Sequence, residues 1–495
     1  MSRRVRSWPP RGGSGTPAPE ARRVPRVLRG VKAAGTAALL MGCAEAQAPA
    51  GVPNVVIVTL ESTRTDVVGA YGGGSVSRPE VPVTPAIDAL AESATLYGNA
   101  FSVTSWTLSA HASLFTGLYP TAHQTDGPRD RLDDSYPTLA EALASRGFAT
   151  AGVVSGPYLR HLHGLSQGFD QWVDGISAPI DPLAHDDVTN PEMLAALEHW
   201  LDARDPARPF LLFAYFWDPH FDFRPPPPYD EMFVGDADEP MDAGSFDTNP
   251  AIHPYMAREH LDWIQAQYLG EVRWTDEHLG RLFAALRERG LWDDTLVILT
   301  ADHGEEFFDH GEKGHKKNLH VETVHIPLIV KYPGQQEGLR DDRLVSLVDV
   351  APTVLDVAGF EPDFPVQGRS LRAPPSPGRA IFFDLLATRY TRQDAGAVAE
   401  QVQRWRAVQD TEHKLIRRGQ GDAIEREELY ATGSDPGERE DLARGSPERL
   451  SRLRVLLGSH LDESARIAAD YRRGGEVELG PEEHEQLRAL GYLGP

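Results

Sequence analysis

Four short stretches of this 495-residue chain carry side chains suited to joint chemistry. Glu61 directly follows the apolar run 55–60, where a carboxylate at the end of a buried strand can bind a metal ion. By itself such a residue is more often a solvated loop residue or a helix cap. Asp302 and His303 follow the apolar run 295–300, and Gly304 after them permits close backbone approach, so both can reach one ion. Read alone, the pair is a polar turn. Thr107 lies where a loop enters a helical stretch ending near Gly117. A hydroxyl there faces unpaired N–H groups and the positive end of a helix dipole, and can meet a tetrahedral oxyanion. The simpler reading is that Thr107 or Ser109 is an N-cap. The fourth stretch supplies cations and imidazoles: His220, then His310, Lys313, His315, Lys316 and Lys317 just after the Asp-His pair. Clustered in an acidic chain, they point to anion binding.

The formal net charge is -24. Residues 1–43 hold nine Lys/Arg against one acidic residue, Glu20, so the remainder carries -32. A body this acidic repels phosphate backbones and argues against a nucleic-acid partner. An anionic substrate must be drawn in by a metal ion and a few local basic groups. The single cysteine, Cys43, rules out an intrachain disulfide. It ends a basic segment followed by the short apolar stretch 33–41, which resembles a bacterial lipoprotein signal. Export to the periplasm or cell envelope, with a lipid anchor on Cys43 as the membrane contact, is the expectation. No run reaches the roughly 18 apolar residues of a spanning helix.

Around these residues the chain alternates short buried strands and helices for about 300 residues. Strands are expected at 55–60, 149–155, 209–217, 295–301 and 326–332. Helices are expected to start at Thr84-Pro85 and to span 138–146, 191–203, 255–289 and 349–358. This pattern predicts an α/β fold: a large, mostly parallel mixed sheet sandwiched by helices, with active-site loops at the carboxyl ends of strands. Beyond residue 375, strands at 404–408, 414–417 and 428–430 and a helix at 447–461 predict a smaller antiparallel subdomain. The expected organisation is an export segment (1–43), a linker (44–52), a catalytic α/β domain (53–375), a C-terminal α+β subdomain (376–475) and a terminal helix or tail (476–495). Residues 224–254, rich in Pro and Asp, read as a surface insertion.

The four stretches together resemble the sulfatase branch of the alkaline phosphatase superfamily. NVVIVTLESTRTDVVGAYG (54–72) looks like its first strand and metal loop, and SWTLSAHASLFTGLYP (105–120) like its nucleophile segment. WDPHF (217–221) resembles the substrate-histidine loop and TADHGEEFFDHGEKGH (300–315) the second metal loop. SLVDVAPTVLDVAGF (346–360), KLIRRGQG (414–421) and EELYATGSDPGEREDLA (427–443) are similar to the later segments. The likeness runs from Asn54 to about Leu442.

The resemblance implies a metal set of Glu61, Thr107, Asp302 and His303, with Thr107 as nucleophile. Ser62 stands where typical sulfatases have a second acidic ligand. His111 replaces their usual Arg, and Ser109-Ala110 their Pro-Ser. His111 and His220 are expected among the catalytic groups, and His220, His315 and Lys316 at the anionic substrate. A threonine cannot become the formylglycine that typical sulfatases make from Cys or Ser, so no formylglycine is expected. The resemblance therefore shifts to threonine-nucleophile members, such as phosphodiesterases, and to the one-metal site of lipoteichoic-acid-synthase-like enzymes. One divalent ion is expected; an imidazole ligand favours Mn²⁺ or Zn²⁺ over Ca²⁺ or Mg²⁺. The expected activity is hydrolysis or group transfer at a phosphate mono- or diester. The alternatives are a sulfuric ester hydrolase without formylglycine and a silent, lipid-anchored binding protein. The organic half of the substrate and the oligomeric state are not written in these motifs.

Overall fold

The computed structural model describes residues 51–176, 189–220, 222–235, 241, 246–247, 249–392, 398–420 and 423–489. The expected export segment with Cys43 lies outside the described residues, as do parts of the 224–254 insertion. Among the described residues, no helix is long and apolar enough to cross a membrane.

The sheet grows from the apolar runs that mark it in the sequence. Strands β1 (Asn54–Leu60), β5 (Phe210–Phe216) and β6 (Thr295–Ala301) are β-branched or aromatic and almost wholly buried. Burial on both faces is what a central parallel strand requires. They share one sheet with β2 (Thr95–Phe101), β3 (Ala149–Ser155), β4 (Gln171–Ile176), β9 (Leu328–Lys331) and β10 (Leu339–Ser346). The order across the eight-stranded sheet is β10-β2-β9-β6-β1-β5-β3-β4. Strand β9 runs antiparallel to both its neighbours, and every other pairing is parallel. Strands β2, β4 and β10 escaped the sequence reading. Strand β10 reads LRDDRLVS, with charges on an exposed edge, and carries no apolar run.

Register decides what meets at the carboxyl edge. Leu60 pairs with Ala301 on one side and with Phe216 on the other. The residues that follow these three strand ends, Glu61, Asp302 and Trp217, are therefore level with one another. This places the active-site loops where a parallel sheet is expected to carry them.

Helices cover the sheet. The longest, Arg258–Glu288, falls within the expected 255–289. The helix expected at 138–146 is Leu139–Ala144, opened by a capping box between Thr138 and Glu141. Two short strands, β7 (Glu306–Phe307) and β8 (Lys313–Gly314), form a hairpin just after Gly304. The separate C-terminal sheet is an antiparallel meander of β11 (Ile381–Arg392), β12 (Val398–Gln409), β13 (Lys414–Gln420) and β14 (Ala423–Tyr430). The Pro447–Ala468 helix packs Leu450, Leu453 and Leu457 against Val408, Leu415 and Leu429 of that sheet. Apolar side chains of its other face, including Ile381, Phe383 and Trp405, join the main core.

Candidate active site

Thr107 is the first residue of the Thr107–Thr116 helix, and every residue of that helix is buried. The helix ends at Gly117, whose φ of 69° is left-handed. Thr107 Oγ1 donates to Glu61 Oε2 at 3.3 Å and lies 3.2 Å from His303 Nε2. The other ring nitrogen of His303 donates to the Gly304 carbonyl at 2.9 Å. That bond keeps the proton on Nδ1 and leaves the Nε2 lone pair facing Thr107 and the carboxylates. Glu61 Oε1 and Asp302 Oδ2 are 3.3 and 3.5 Å from that same nitrogen. Gly304 is needed here, because a Cβ would meet the Glu322 carbonyl oxygen at 2.1 Å.

Ser62 organises both carboxylates. Its hydroxyl donates to Glu61 Oε1 at 2.7 Å, and its N–H donates to Asp302 Oδ1 at 3.2 Å. It does so with a φ of 46°, unusual for a residue with a side chain. Tyr215, at the end of β5, donates its hydroxyl to Glu61 Oε2.

Glu61, Asp302 and His303 are buried to within 1 % of complete exclusion from solvent. Burial raises both carboxyls. For Glu61 the imidazoles of His303, His220 and His315 and the Tyr215 hydroxyl outweigh burial and pull it down to about 2. For Asp302 the charge on Glu61 adds to burial and drives the carboxyl well above its usual range. Asp302 Oδ2 has no hydrogen-bond partner. Two carboxylates facing one another in a dry site, one with an orphaned oxygen, fit a cation. Independently, Glu61, His303 and His315 offer ligand atoms that all lie within 4.8 Å of one another. The cluster of Glu and His residues is therefore able to hold a metal ion, and His315 belongs to it geometrically.

The expected substrate groups converge on the same place. His315 sits beside His303, ring centroids 4.4 Å apart, and His220 lies edge-on to His315 at 5.3 Å. His220 stacks on Trp217, the residue after β5. Lys316 places Nζ 3.6 Å over the Trp106 ring, adjacent in sequence to Thr107, and its N–H donates to the Ser105 carbonyl. Burial pushes the Lys316 ammonium down to about 7.

His111, expected among the catalytic groups, has both ring nitrogens engaged. Nδ1 donates to the Thr107 carbonyl at 2.8 Å, and Nε2 lies 2.9 Å from Thr59 Oγ1. It is wholly buried, edge-on to Phe213 and Tyr215. Burial pulls its pKa down to about 4. A neutral imidazole with both nitrogens engaged anchors the first turn of the Thr107–Thr116 helix to β1. The spacing of four from Thr107 is a helical one and carries that signal.

Three of the expected surrounding basic groups fall elsewhere. His310 pairs with Glu322 at 2.6 Å. Lys313 donates to the carbonyls of Asn249 and Ile252. Lys317 pairs with Asp247. These tie the loop to neighbouring segments. Conversely, Tyr215 and Glu305 carry no signal in the sequence as site residues, and Ser62 marks there only the position of a missing acidic ligand. Glu305 is buried, with Oε2 3.2 Å from His315 Nδ1. Tyr215 lies in an unbroken apolar run, where its hydroxyl gives no signal. Glu305 is one acidic residue among several after Gly304.

A family model described as Sulfatase matches residues 53–360. A second, described as N-sulphoglucosamine sulphohydrolase, C-terminal, matches residues 309–463. The chain is 27% identical over 397 residues to the multifunctional alkaline phosphatase superfamily protein PehA of Trinickia caryophylli, covering 64% of this chain and 76% of that protein. It is 24% identical over 432 residues to arylsulfatase K of Xenopus laevis, covering 76% and 78%. In fold it is similar to a putative sulfatase from Bacteroides thetaiotaomicron, with a TM-score of 0.66, 21% identity and coverage of 88% of this chain and 99% of that one. It is also similar to the phosphonate monoester hydrolase of Agrobacterium radiobacter, with a TM-score of 0.63, 22% identity and coverage of 84% and 95%.

Proposed function

This chain belongs to the sulfatase family of the alkaline phosphatase superfamily, and within it we propose that it cleaves a phosphate mono- or diester by direct attack of the Thr107 hydroxyl. At the coarser level it is a sulfatase-like ester hydrolase. The observation that carries the finer reading is the Thr107 hydroxyl itself, at a helix start and within 3.3 Å of both Glu61 and His303.

Glu61, Asp302, His303 and Thr107 Oγ1 would hold one divalent ion, Mn²⁺ or Zn²⁺ in preference to Ca²⁺ or Mg²⁺, and when bound it supplies positive charge to the buried carboxylates and to the reacting oxygens. Thr107 Oγ1 passes its proton to Glu61 Oε2, to which it already donates, and forms a bond to phosphorus as the bond to the leaving oxygen breaks. His220 hands a proton to that leaving oxygen, so the alcohol departs neutral. His315 and Lys316 donate to the non-bridging oxygens, where negative charge accumulates. Water, or an acceptor alcohol, then attacks the phosphorus of the Thr107 ester and gives its proton to His220, while the Oγ1–phosphorus bond breaks and Thr107 Oγ1 takes back the proton held by Glu61. Tyr215 and Ser62 keep Glu61 oriented throughout, and His111 holds the helix that carries Thr107.

A sulfuric ester cleaved by the same attack is the second reading, supported by the arylsulfatase relative. Turnover by purified enzyme of matched aryl phosphate, bis-aryl phosphate and aryl sulfate decides between them. A clear preference for the sulfate would overturn the phosphate reading. The exported, Cys43-anchored location belongs to the same proposal, and release of labelled fatty acid from the full chain but not from Cys43→Ser tests it.

A further inference from the structure

Ser62 joins the two carboxylates in a conformation that residues with a side chain rarely adopt. Its φ of 46° lies in the left-handed region, where a Cβ crowds the following carbonyl oxygen. In that conformation its hydroxyl donates to Glu61 Oε1 and its N–H to Asp302 Oδ1. Rotated into the right-handed or extended region, it would no longer serve both. A residue of this kind persists only where its surroundings hold it.

Asp302 holds the N–H side of Ser62, and Tyr268, in the Arg258–Glu288 helix, holds the carbonyl side. The Tyr268 hydroxyl donates to the Ser62 carbonyl at 2.9 Å and accepts from the Arg64 N–H at 3.1 Å. A hydroxyl does both at once, and the two bonds fix the peptide groups on either side of Thr63. The Thr63 hydroxyl closes the turn onto the Glu61 carbonyl at 2.9 Å. Arg64 pins the far end, donating to the Glu305 carbonyl at 3.0 Å and pairing with Asp309 at 2.8 Å. Tyr268 is itself set by packing: it is buried, with its ring against Phe223 and Phe307 at centroid distances of 5.3 and 5.2 Å. A buried tyrosine hydroxyl usually finds a partner, which alone says nothing about a site. Here the partner is a left-handed residue bonded to both Glu61 and Asp302.

Resting on the reading of Glu61 and Asp302 as metal ligands, we propose that Tyr268 is a positioning residue whose hydroxyl sets metal affinity by holding Ser62 left-handed. It touches neither Glu61, Asp302 nor Thr107 in this role, and acts through Ser62 alone. Without the hydroxyl, the 62–64 turn loses a donor and an acceptor together and relaxes. Both carboxylates then lose a bond that orients them, and part of the binding energy of the ion goes into ordering them.

The test is calorimetric titration of chelator-stripped full-length protein with Mn²⁺. Tyr268→Phe keeps the ring and removes only the oxygen. It is expected to lower Mn²⁺ affinity about tenfold, the low end for loss of a group that orients a metal ligand, with the melting temperature of the metal-free protein near native. At saturating Mn²⁺, kcat should return to near native, because the hydroxyl acts on binding of the ion and not on the chemical step. Leu453→Ala, which opens a cavity between the Pro447–Ala468 helix and the C-terminal sheet, should lower the melting temperature and leave Mn²⁺ affinity native. Asp302→Ala, run in parallel, should weaken binding at least as much as Tyr268→Phe. Unchanged Mn²⁺ affinity in Tyr268→Phe, an equal loss in Leu453→Ala, or a kcat that stays low at saturating Mn²⁺ overturns the inference and leaves the metal reading standing. Native protein that binds no Mn²⁺, or Asp302→Ala that binds it as the native protein does, overturns both.

Discussion

His303 Nε2 lies 3.2 Å from Thr107 Oγ1, and its opposite nitrogen is locked to the Gly304 carbonyl. The proton on His303 is thereby fixed away from the Thr107 hydroxyl. A lone pair, rather than an N–H, faces the hydroxyl, the Glu61 carboxylate and the orphaned oxygen of Asp302. This is the arrangement a metal ligand needs.

Removal of the Thr107 hydroxyl should separate chemistry from folding. Thr107→Ala is expected to lower kcat at least about a thousandfold while circular dichroism and melting temperature stay near native. Thr107→Ser, which keeps a hydroxyl, should retain measurable turnover. Near-native kcat in Thr107→Ala on an aryl phosphate or phosphodiester would remove Thr107 from the reaction.

Metal content should follow His303 and Asp302. His303→Ala and Asp302→Ala are each expected to lower metal occupancy about ten- to a hundredfold in affinity, read by elemental analysis after dialysis against graded chelator. Chelated native enzyme should regain turnover with Mn²⁺ or Zn²⁺ more fully than with Ca²⁺. Unchanged metal content in His303→Ala would exclude it as a ligand.

His111 should prove a matter of stability. His111→Ala leaves the Thr107 carbonyl and the Thr59 hydroxyl buried without their partner. The expected cost is about 2–4 kcal/mol, seen as a lower denaturant midpoint. An unshifted midpoint accompanied by lost kcat would return His111 to the catalytic groups.

Lys316 predicts an alkaline limb. Burial lowers its ammonium to about 7, and the charges of Asp247 and Asp130 oppose that only in part. It is a cation below that pH and neutral above it, so kcat/KM should fall as pH rises through about 7. Lys316→Arg keeps its charge across this range and should move the falling limb to higher pH. An identical profile for the two proteins would show that another group sets the limb.

A buried pair behind the site should set acid stability. Lys414 Nζ donates to Glu438 Oε1 at 2.8 Å, and Glu438 Oε2 also accepts from the Val321 N–H on the loop that carries His315. Burial raises Glu438, but Lys414 and His320 outweigh it and hold the carboxyl at about 2. A carboxyl depressed on folding stabilises the protein above its unfolded pKa, and that contribution is lost as pH falls through the folded value. Stability should therefore decline between about pH 4.5 and 2. Lys414→Met, which strands the carboxylate, should cost about 3–5 kcal/mol at pH 7 and flatten the acid decline. Urea titrations at graded pH read both effects.

Much of this was legible in the residues themselves. Glu61, Asp302 and His303 each follow an apolar run, and such runs become buried parallel strands whose ends carry chemistry. The turn after β6 needed a glycine for close approach, and Gly304 supplies it. The edge strand β10 was not legible, because an exposed strand needs no apolar run. Nor was Tyr215 as a partner of Glu61, since a tyrosine in an apolar strand looks like core. His111 was legible only as the replacement for the usual Arg of the family. Its true partner Thr59 lies 52 residues away on β1.

By itself, then, the sequence determined the type of the central strands and main helices, the residues at those strand ends and the family. These are local properties, carried by periodicity, breakers and short motifs. Tertiary structure alone decided that β1 and β6 are neighbours in register, so that Leu60 meets Ala301 and Ser62 bridges to Asp302 across 240 residues. It decided too that Thr107 is aimed at both carboxylate and imidazole while His111 is turned away. The physical reason is that strand order and register come from the summed packing of the whole sheet, and no single segment encodes which partner it will face.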